Sequence, residues 1–253
     1  MKPSLCLVGM ALMLFVALEP SSAQDLAFIG VNVVPMDRDA LLNDQTVVVR
    51  DGRISGVGPT GSTRVPEGAL RLDGRGKYLM PGLGEMHGHI PSPLQAREFT
   101  EAVLFLYVAN GVTTVRGMQG APGQLDLRER AKRAELMAPN LYLAGPPFSG
   151  KTIKSAEEAI QTVRQQKGEG WDLLKVLTGL ARDHYDAMAR TAKEVGISFA
   201  GHVPADVGLL HAIQSGQETF DHLDGYMEYL QGEKDSVPDA KLQEIAKLSR
   251  EAG

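Results

Sequence analysis

From residue 82 onward, short apolar segments of strand-like composition alternate with longer segments whose apolar residues follow a helical period. The strand-like segments cover residues 82–89, 111–118, 140–145, 171–179, 196–203 and 218–224. Such alternation is typical of an α/β fold with a parallel sheet. Because single strand–helix units repeat without a reversal, the pattern favours a TIM-type (β/α) barrel over an open doubly wound sheet.

These segments predict about six of the roughly eight strands that a closed (β/α) barrel contains. The last part of the chain, residues 238–253, has the pattern of a helix, and no strand-like segment follows it. A barrel left open at this point would expose apolar strand edges. We therefore expect an incomplete (β/α) barrel over residues 81–253, in a sequence that is truncated at its C-terminal end.

Residues 24–80 have a different pattern, in which short β-prone runs are separated by turn signals. The dipeptide Asp51-Gly52 lies between two such runs and is a strong signal for a two-residue hairpin. We therefore predict a small antiparallel sheet in this part of the chain, as a domain separate from the barrel.

Residues 1–23 have the organisation of a secretory signal peptide. Lys2 precedes an apolar run, and small residues up to Ala23 provide a cleavage site. The apolar run is too short to cross a bilayer, although an uncleaved membrane anchor is the alternative. We predict an exported protein, periplasmic or secreted, that has no stable membrane anchor after cleavage.

The single cysteine, Cys6, lies inside the predicted signal peptide. The exported chain would therefore have neither disulfides nor thiolate ligands, and a metal ion would have to bind His, carboxylate or modified Lys side chains. The formal net charge is -5, and there is no basic run suited to a phosphate backbone. We therefore expect no nucleic-acid partner.

Histidines and one lysine recur at the ends of the predicted strands. His87 and His89 share one face of the first strand, because side chains at i and i+2 point the same way. Lys175, His202 and His222 lie in or at the ends of later strands. In a parallel (β/α) barrel the carboxyl ends of the strands meet at one face, so these residues are expected to converge there. They are candidate metal ligands, and buried structural histidines are the alternative.

A charged Lys175 near these histidines would repel a metal ion or lose its charge on burial. If its amine captures carbon dioxide as a carbamate, it becomes an anionic oxygen donor that can bridge two divalent ions. The alternative is that Lys175 extends into solvent from the end of its strand. An imidazole-rich site favours zinc, and manganese, cobalt and iron are further candidates.

These residues resemble the metal-dependent amidohydrolase superfamily, especially its imidazolonepropionase-like and metallo-dipeptidase-like branches. The resemblance rests on the ordered segments LMPGLGEMHGH, GVTTVRGM, LLKVLTG, ISFAGHVP and ETFDHLDGY, and it extends over nearly all of the chain after the predicted signal peptide. It implies that His87 and His89 bind one metal ion, and that His202 and His222 bind a second. It also implies that carbamylated Lys175 bridges the two ions.

The same resemblance implies that residues 24–80 form part of a β-sandwich. It implies a hydrolase that cleaves carbon–nitrogen bonds of a small amide, cyclic amide or dipeptide at a dinuclear metal site. The aspartate that carries the proton in this family is expected beyond Gly253, so the sequence as given is expected to be inactive or impaired. A non-catalytic metal-binding protein is the alternative.

Arg116 and Tyr226 are candidates for substrate binding, because they lie at or just after the ends of the second and sixth predicted strands. Arg116 could bind a substrate carboxylate through two hydrogen bonds, and a salt bridge at the barrel rim is the alternative. Tyr226 could donate its hydroxyl to the carbonyl oxygen under attack, and packing against the rim is the alternative.

Residues 145–152, GPPFSGKT, match the phosphate-binding pattern G-x-x-x-x-G-K-[ST] between a predicted strand and a predicted helix. The match makes a nucleotide-binding protein an alternative function. Ser155 and Glu158, however, form a capping-box pattern that starts the helix at Ser155 and leaves Lys151 and Thr152 on the loop. A phosphate loop holds these two residue types in the first helical turn, so we favour the metal-dependent hydrolase.

Overall fold

A computed structural model of the chain describes residues 24–94, 96–231 and 237–252. The predicted signal peptide, residues 1–23, lies outside the described residues. The chain divides into two compact units between Pro81 and Gly82. Each unit is built on strands of its own, and the two are described in turn.

The N-terminal unit contains the strands β1 (Leu26–Val33), β2 (Leu42–Arg50), β3 (Arg53–Pro59), β4 (Leu70–Asp73) and β5 (Tyr78–Leu79). They form one sheet in the order β3-β2-β1-β4, with β5 also paired to β1. The predicted hairpin connects β2 and β3, and Asp51 and Gly52 both have positive φ, at 48° and 71°. β4 and β5 pair parallel to β1, so the prediction of a purely antiparallel sheet is wrong. The long connection from β3 to β4 lets the chain cross over, so that β4 runs parallel to β1.

The second unit alternates strands and helices in the order that the sequence predicts. Its elements are β6 (Leu83–Gly88), α1 (Arg97–Ala109), β7 (Val112–Gly117), α2 (Gln124–Lys132), β8 (Asn140–Leu143), α3 (Ala156–Glu169), β9 (Leu173–Val176), α4 (Arg182–Val195), β10 (Ser198–Gly201), α5 (Leu209–Gln214), α6 (Tyr226–Gln231) and α7 (Asp239–Ala252). A short 3-10 helix, Asp221–Leu223, lies between α5 and α6. Within the described ranges, every helix is too short or too polar to cross a membrane.

Neighbouring strands of the second unit pair in parallel. β6, β7 and β8 form one ladder, and β9 and β10 form another. Two isolated bridges, Ala144 to Leu173 and Phe148 to Val176, connect the two ladders, so the strands follow one another in chain order. The predicted α/β fold is confirmed, and within the described part of the chain the strands do not close into a barrel.

The sixth predicted strand, residues 218–224, is not a regular strand. Phe220 forms a single parallel bridge with Gly201, and the chain then turns into the 3-10 helix. His222 and Leu223 have φ angles of 57° and 62°, which lie in the left-handed region and outside the β region of a regular strand. Of the six predicted barrel strands, five form ladders in residues 82–94, 96–231 and 237–252, and the sixth contributes only this bridge.

The main apolar core of the second unit lies between β9, β10 and the helices α3 and α4. β9 is buried along its whole length. Tyr185 and Met188 of α4 and Val163 of α3 are each 0% exposed. Continuous burial is typical of a short strand in a parallel sheet that helices cover. A packed core therefore supports the carboxyl ends of β9 and β10.

Candidate metal centre

The histidines and the lysine predicted at the strand ends come together around one cavity. It has a volume of about 230 Å³ and is lined by His87, His89, Gln119, Lys175, Leu177, His202 and His222. The ring centroid of His87 lies 5.2 Å from that of His89 and 4.7 Å from that of His222. The rings of His202 and His222 are 5.2 Å apart. The cavity thus lies at the carboxyl ends of parallel strands, where (β/α) folds place their active sites.

β6 supplies two of the imidazoles. His87 lies in the strand, His89 follows it, and their rings are stacked with planes 21° apart. The backbone N–H of His87 donates a hydrogen bond to Glu85 Oε1 at 2.7 Å. A Cβ on Gly88 would lie 2.6 Å from Val115 Cγ1, so glycine lets β6 and β7 pack closely here. In the sequence His-Gly-His, the two histidines thus supply imidazoles to the cavity, and the glycine between them allows the close packing of β6 and β7.

Lys175 lies inside β9, and only 2% of its side chain is exposed. Its Nζ donates a hydrogen bond to Oδ2 of Asp221, whose side chain is 4% exposed. The same oxygen lies 3.4 Å from His87 Nδ1. The alternative in which Lys175 extends into solvent is therefore wrong. Because Asp221 supplies a counter-charge, an unmodified Lys175 can also be buried here without a carbamate.

Burial lowers the pKa of His87 below its ordinary value of 6.5. The Asp221 carboxylate acts in the opposite direction, whereas Lys175, His222 and His89 lower the pKa further. The net shift is downward, so the His87 ring is neutral at neutral pH. A neutral imidazole has a lone pair that can bind a metal ion.

His202 is positioned where β9 and β10 approach closely. Its backbone N–H donates to Val176 O at 3.0 Å. The preceding residue, Gly201, has a φ of 134°, and a Cβ on it would lie 2.2 Å from the same oxygen. On the side chain, His202 Nδ1 lies 2.6 Å from Asp224 Oδ2. A carboxylate on Nδ1 fixes the orientation of the ring and leaves Nε2 available to a metal ion.

His222 reaches the cavity from a strained backbone. Its φ of 57° places a non-glycine residue in the left-handed region, and Leu223 is also there. Each such residue costs on the order of 1–3 kcal/mol and persists only where its surroundings fix it. The flanking side chains provide such contacts, because Asp221 binds Lys175 and Asp224 binds His202. The strain is therefore concentrated at the cavity.

The donor set has the chemistry of a transition-metal site, because imidazole nitrogens suit zinc and related divalent ions. Among residues 24–94, 96–231 and 237–252, however, no three His, Cys, Asp or Glu side chains are gathered closely enough to hold an ion as they stand. Neighbouring ring centroids are 4.7 to 5.2 Å apart, and Asp221 is paired with Lys175.

A buried hydrogen-bond network supports the end of β10. The Tyr185 hydroxyl donates to Gln217 Oε1 at 3.0 Å. Gln217 Nε2 donates to the backbone oxygens of Gly201, His202 and Thr219 at 3.1, 3.3 and 3.1 Å. Burial raises the pKa of Tyr185, so its hydroxyl keeps the proton that it donates. The network thereby connects α4 to the residues that position His202.

Three residues in or near the cavity are not among the site residues that the sequence predicts. Asp221 and Asp224 lie on either side of His222, and a carboxylate beside a strand-end histidine is a signal that could have identified them. Gln119 carries no comparable signal, because a single glutamine in a loop is unremarkable in sequence. The structure places it on the cavity through the end of β7.

Arg116 and Tyr226 do not line this cavity. Arg116 donates from Nε to Met86 O at 2.8 Å and from Nη2 to Thr219 Oγ1 at 3.0 Å. The Tyr226 hydroxyl lies 2.7 Å from Ser249 Oγ, and the residue lines a different cavity of about 610 Å³. Their roles in substrate binding stay predictions.

The GPPFSGKT loop uses its own hydroxyl groups to satisfy its backbone. Ser149 Oγ accepts hydrogen bonds from the N–H groups of Lys151 and Thr152, each at 3.2 Å. Thr152 Oγ1 accepts one from the Ser149 N–H at 3.0 Å. α3 begins after Ser155, whose Oγ accepts from the Glu158 N–H at 3.1 Å. The loop amides are thus directed to protein oxygens outside the helix, which argues against a nucleotide site.

Two curated proteins are similar to the chain in sequence. Adenine deaminase 2 of Bradyrhizobium sp. is 27% identical over 204 residues, which cover 72% of this chain and 32% of that protein. Imidazolonepropionase of Stenotrophomonas maltophilia is 30% identical over 182 residues, which cover 67% of this chain and 44% of that protein. The chain therefore spans less than half the length of these relatives.

The fold is also found among solved structures. Molinate hydrolase matches with a TM-score of 0.72 and 17% identity, over 90% of this chain and 62% of that chain. No family model matches the sequence. The sequence relatives and the shared fold identify the chain as a homologue of amidohydrolase-superfamily proteins, which are hydrolases acting on carbon–nitrogen bonds. Adenine deaminase and imidazolonepropionase are the relatives that support this in sequence, so the resemblance inferred from the motifs is confirmed.

Proposed function

We propose that the protein is a metal-dependent hydrolase that cleaves carbon–nitrogen bonds in small molecules. The observation that carries this proposal is the convergence of His87, His89, Lys175, His202 and His222 on one cavity at the ends of parallel strands. Core packing gives no reason to gather several imidazoles and an amine at one point, because such groups are costly to bury. The names of the sequence relatives, adenine deaminase and imidazolonepropionase, support small cyclic molecules as the substrate class.

We assign His87 and His89 to one divalent ion and His202 and His222 to a second, with zinc as the favoured metal. Such ions supply Lewis acidity to a substrate carbonyl and to water. The protein's own residues prepare the ligands. Burial keeps His87 neutral, and Asp224 holds His202 by Nδ1, so that Nε2 can bind.

We further propose that Lys175 carries a carbamate when metal is bound. In that step the neutral amine attacks carbon dioxide, a nitrogen–carbon bond forms, and one proton leaves the nitrogen. Asp221 Oδ2 already accepts a hydrogen bond from Lys175 Nζ, so it is placed to take that proton. The product is an anionic oxygen donor next to the imidazoles, which offsets part of the metal charge.

We also propose that the protein is exported, on the basis of the signal-peptide pattern in residues 1–23. An exported hydrolase would meet small amides, cyclic amides or dipeptides outside the cytoplasm.

The proposal is tested by following amine or ammonia release from a panel of dipeptides, N-acyl amino acids and cyclic amides. The full chain is purified, depleted of metal by chelation and reconstituted with zinc, manganese or cobalt. We expect release that depends on added metal and falls by at least about a hundredfold in His202→Gln, since loss of a metal ligand removes the ion on which catalysis depends.

His184→Gln is the matched control, because His184 is on α4 and does not line the cavity. Its metal content and activity are expected to equal those of the wild type. Equal activity of His202→Gln and His184→Gln would contradict the proposed site. Retained metal without hydrolysis of any compound would instead support a non-catalytic metal-binding protein.

A further inference from the structure

Two of the residues that line the cavity are not assigned to the metal site. They are Gln119 and Leu177, and Leu177 offers only an apolar surface. Gln119 therefore supplies the polar group that remains for a substrate, among the lining residues that the structure describes. Gln119 is an exposed residue and lines the cavity, so a ligand in the cavity can reach it.

The backbone is fixed on both sides of Gln119. Met118 is 0% exposed, and its N–H donates to Gly88 O at 2.8 Å. The Gly120 N–H donates to Gly145 O at 3.3 Å. A Cβ on Gly120 would lie 2.3 Å from the Gly145 carbonyl carbon, so this close contact requires glycine. The amide of Gln119 is therefore presented from a backbone held between the ends of β6 and β8.

The cationic side chains near the cavity are already engaged. Arg116 donates to Met86 O and to Thr219, and the Lys175 amine donates to Asp221. The part of the lining that the metal site does not use is thus an uncharged amide and an aliphatic group. Such a surface is complementary to a neutral part of a substrate rather than to a free carboxylate.

A carboxamide carries an N–H donor and a C=O acceptor on one planar edge. A cyclic amide also holds its N–H and C=O on the same side, so the two edges can pair through two hydrogen bonds, as Gln does with adenine. The trans amide of a linear peptide directs its N–H and C=O to opposite sides, so only one of them can meet this edge. A carboxamide such as that of Gln119 can therefore form two hydrogen bonds with a cyclic amide but only one with a linear peptide amide.

We propose that Gln119 is a specificity-determining residue that selects substrates presenting a neutral cyclic amide edge, such as lactams, imides and diketopiperazines. The proposal rests on the proposed function for the reaction and adds the class of substrate. Gln119 binds and orients the amide edge, and the metal-site residues act on the bond that is broken.

The test is isothermal titration calorimetry on the full chain as purified, with its metal content measured. The probes are 2,5-diketopiperazine and its N,N′-dimethyl derivative, which keeps both carbonyl groups but has no N–H donor. We expect the wild type to prefer the unmethylated probe by about tenfold, the effect of one or two neutral hydrogen bonds. Gln119→Met, which keeps the length of the side chain but removes both polar groups, is expected to abolish this preference.

Gln214→Met is the matched control, because Gln214 is exposed on α5 and does not line the cavity. It is expected to keep the wild-type preference, and Gln119→Met is expected to keep the wild-type metal content. A wild type without the preference, or a Gln119→Met variant that retains it, would overturn the proposal.

Hydrolysis of the same probes is measured separately by amine release, so the two proposals can fail independently. If the chain prefers the unmethylated probe through Gln119 but hydrolyses neither of the two probes, the result supports the assignment of Gln119 and contradicts the proposed hydrolase. A chain that hydrolyses both probes equally, with Gln119→Met unchanged, supports the hydrolase and contradicts the assignment.

Discussion

The protonation state of His87 follows from opposing effects of its neighbours. Burial lowers its pKa, whereas the Asp221 carboxylate, 3.4 Å from Nδ1, raises it. Above the ordinary pKa of 6.5 the ring is neutral in both the folded and the unfolded chain. As the pH falls below 6.5, the unfolded chain takes up the proton first, so this residue lowers the free energy of unfolding until the pH reaches the folded-state pKa.

We predict that NMR titration of the metal-free protein gives His87 a pKa below 6.5. Asp221→Asn is expected to lower that pKa further, because it removes the charge that raises it. Asp183→Asn, on α4 and away from the cavity, is expected to leave it unchanged. A His87 pKa at or above 6.5 in the wild type would contradict this account.

Asp224 is predicted to raise metal affinity through His202. Replacing it with Asn removes the carboxylate that lies 2.6 Å from His202 Nδ1 and should weaken zinc binding by roughly 10- to 100-fold. Competition with a chromophoric chelator measures the change. Asp186→Asn is the control, because Asp186 binds His211 Nε2 at 2.5 Å in a pair that does not line the cavity. Equal zinc affinity in the two variants would rule out an orienting role for Asp224.

Glycine-dependent contacts at the ends of β6 and β10 decide how closely neighbouring strands approach. Gly88 lies against Val115, and Gly201 lies against the backbone of Val176. The second contact is the more demanding, because the neighbouring atom is a backbone oxygen that cannot move aside. The position of His202 therefore depends on a residue that has no side chain.

Gly201→Ala is predicted to destabilise the protein by roughly 3 kcal/mol or more, since a Cβ would meet Val176 O at 2.2 Å and the φ of 134° disfavours alanine. Gly168→Ala is the control with the opposite sign. Gly168 is within α3 with nothing within 4 Å of its Cβ position, so alanine should stabilise by about 0.5–1 kcal/mol. Urea unfolding measures both changes, and a Gly201→Ala variant as stable as the wild type would refute the packing account.

The local pattern predicts five strands of the second unit because apolar composition and flanking turns are properties of each segment alone. The pattern does not determine at which residue each strand begins and ends. The segment 171–179 contains β9, yet only Leu173–Val176 pair as a strand. Residues 218–224 fail as a strand because Asp221 contacts Lys175 and Asp224 contacts His202, and these long-range contacts favour a turn that the segment's own β propensity does not indicate.

The site as a whole is predictable to the extent that topology alone determines it. Parallel strands in chain order place their carboxyl ends at one edge of the sheet, and the segment after β10 returns to that edge. The ring centroids of His87 and His222 therefore lie 4.7 Å apart, although 135 positions (222 − 87) separate the two residues. Topology does not determine which charged side chains pair with each other. The partner of Lys175 and the amide that faces the imidazoles depend on side-chain directions, which only the folded chain defines.

The central claim is that imidazoles from separate strand ends bind divalent ions in one cavity. The most direct measurement is a crystal structure of the zinc-reconstituted full chain with anomalous diffraction data collected at the zinc edge. We predict anomalous peaks in the cavity, about 2.0–2.1 Å from nitrogens of His87, His89, His202 and His222. A fully loaded protein with zinc bound elsewhere and no peak in the cavity would contradict the claim.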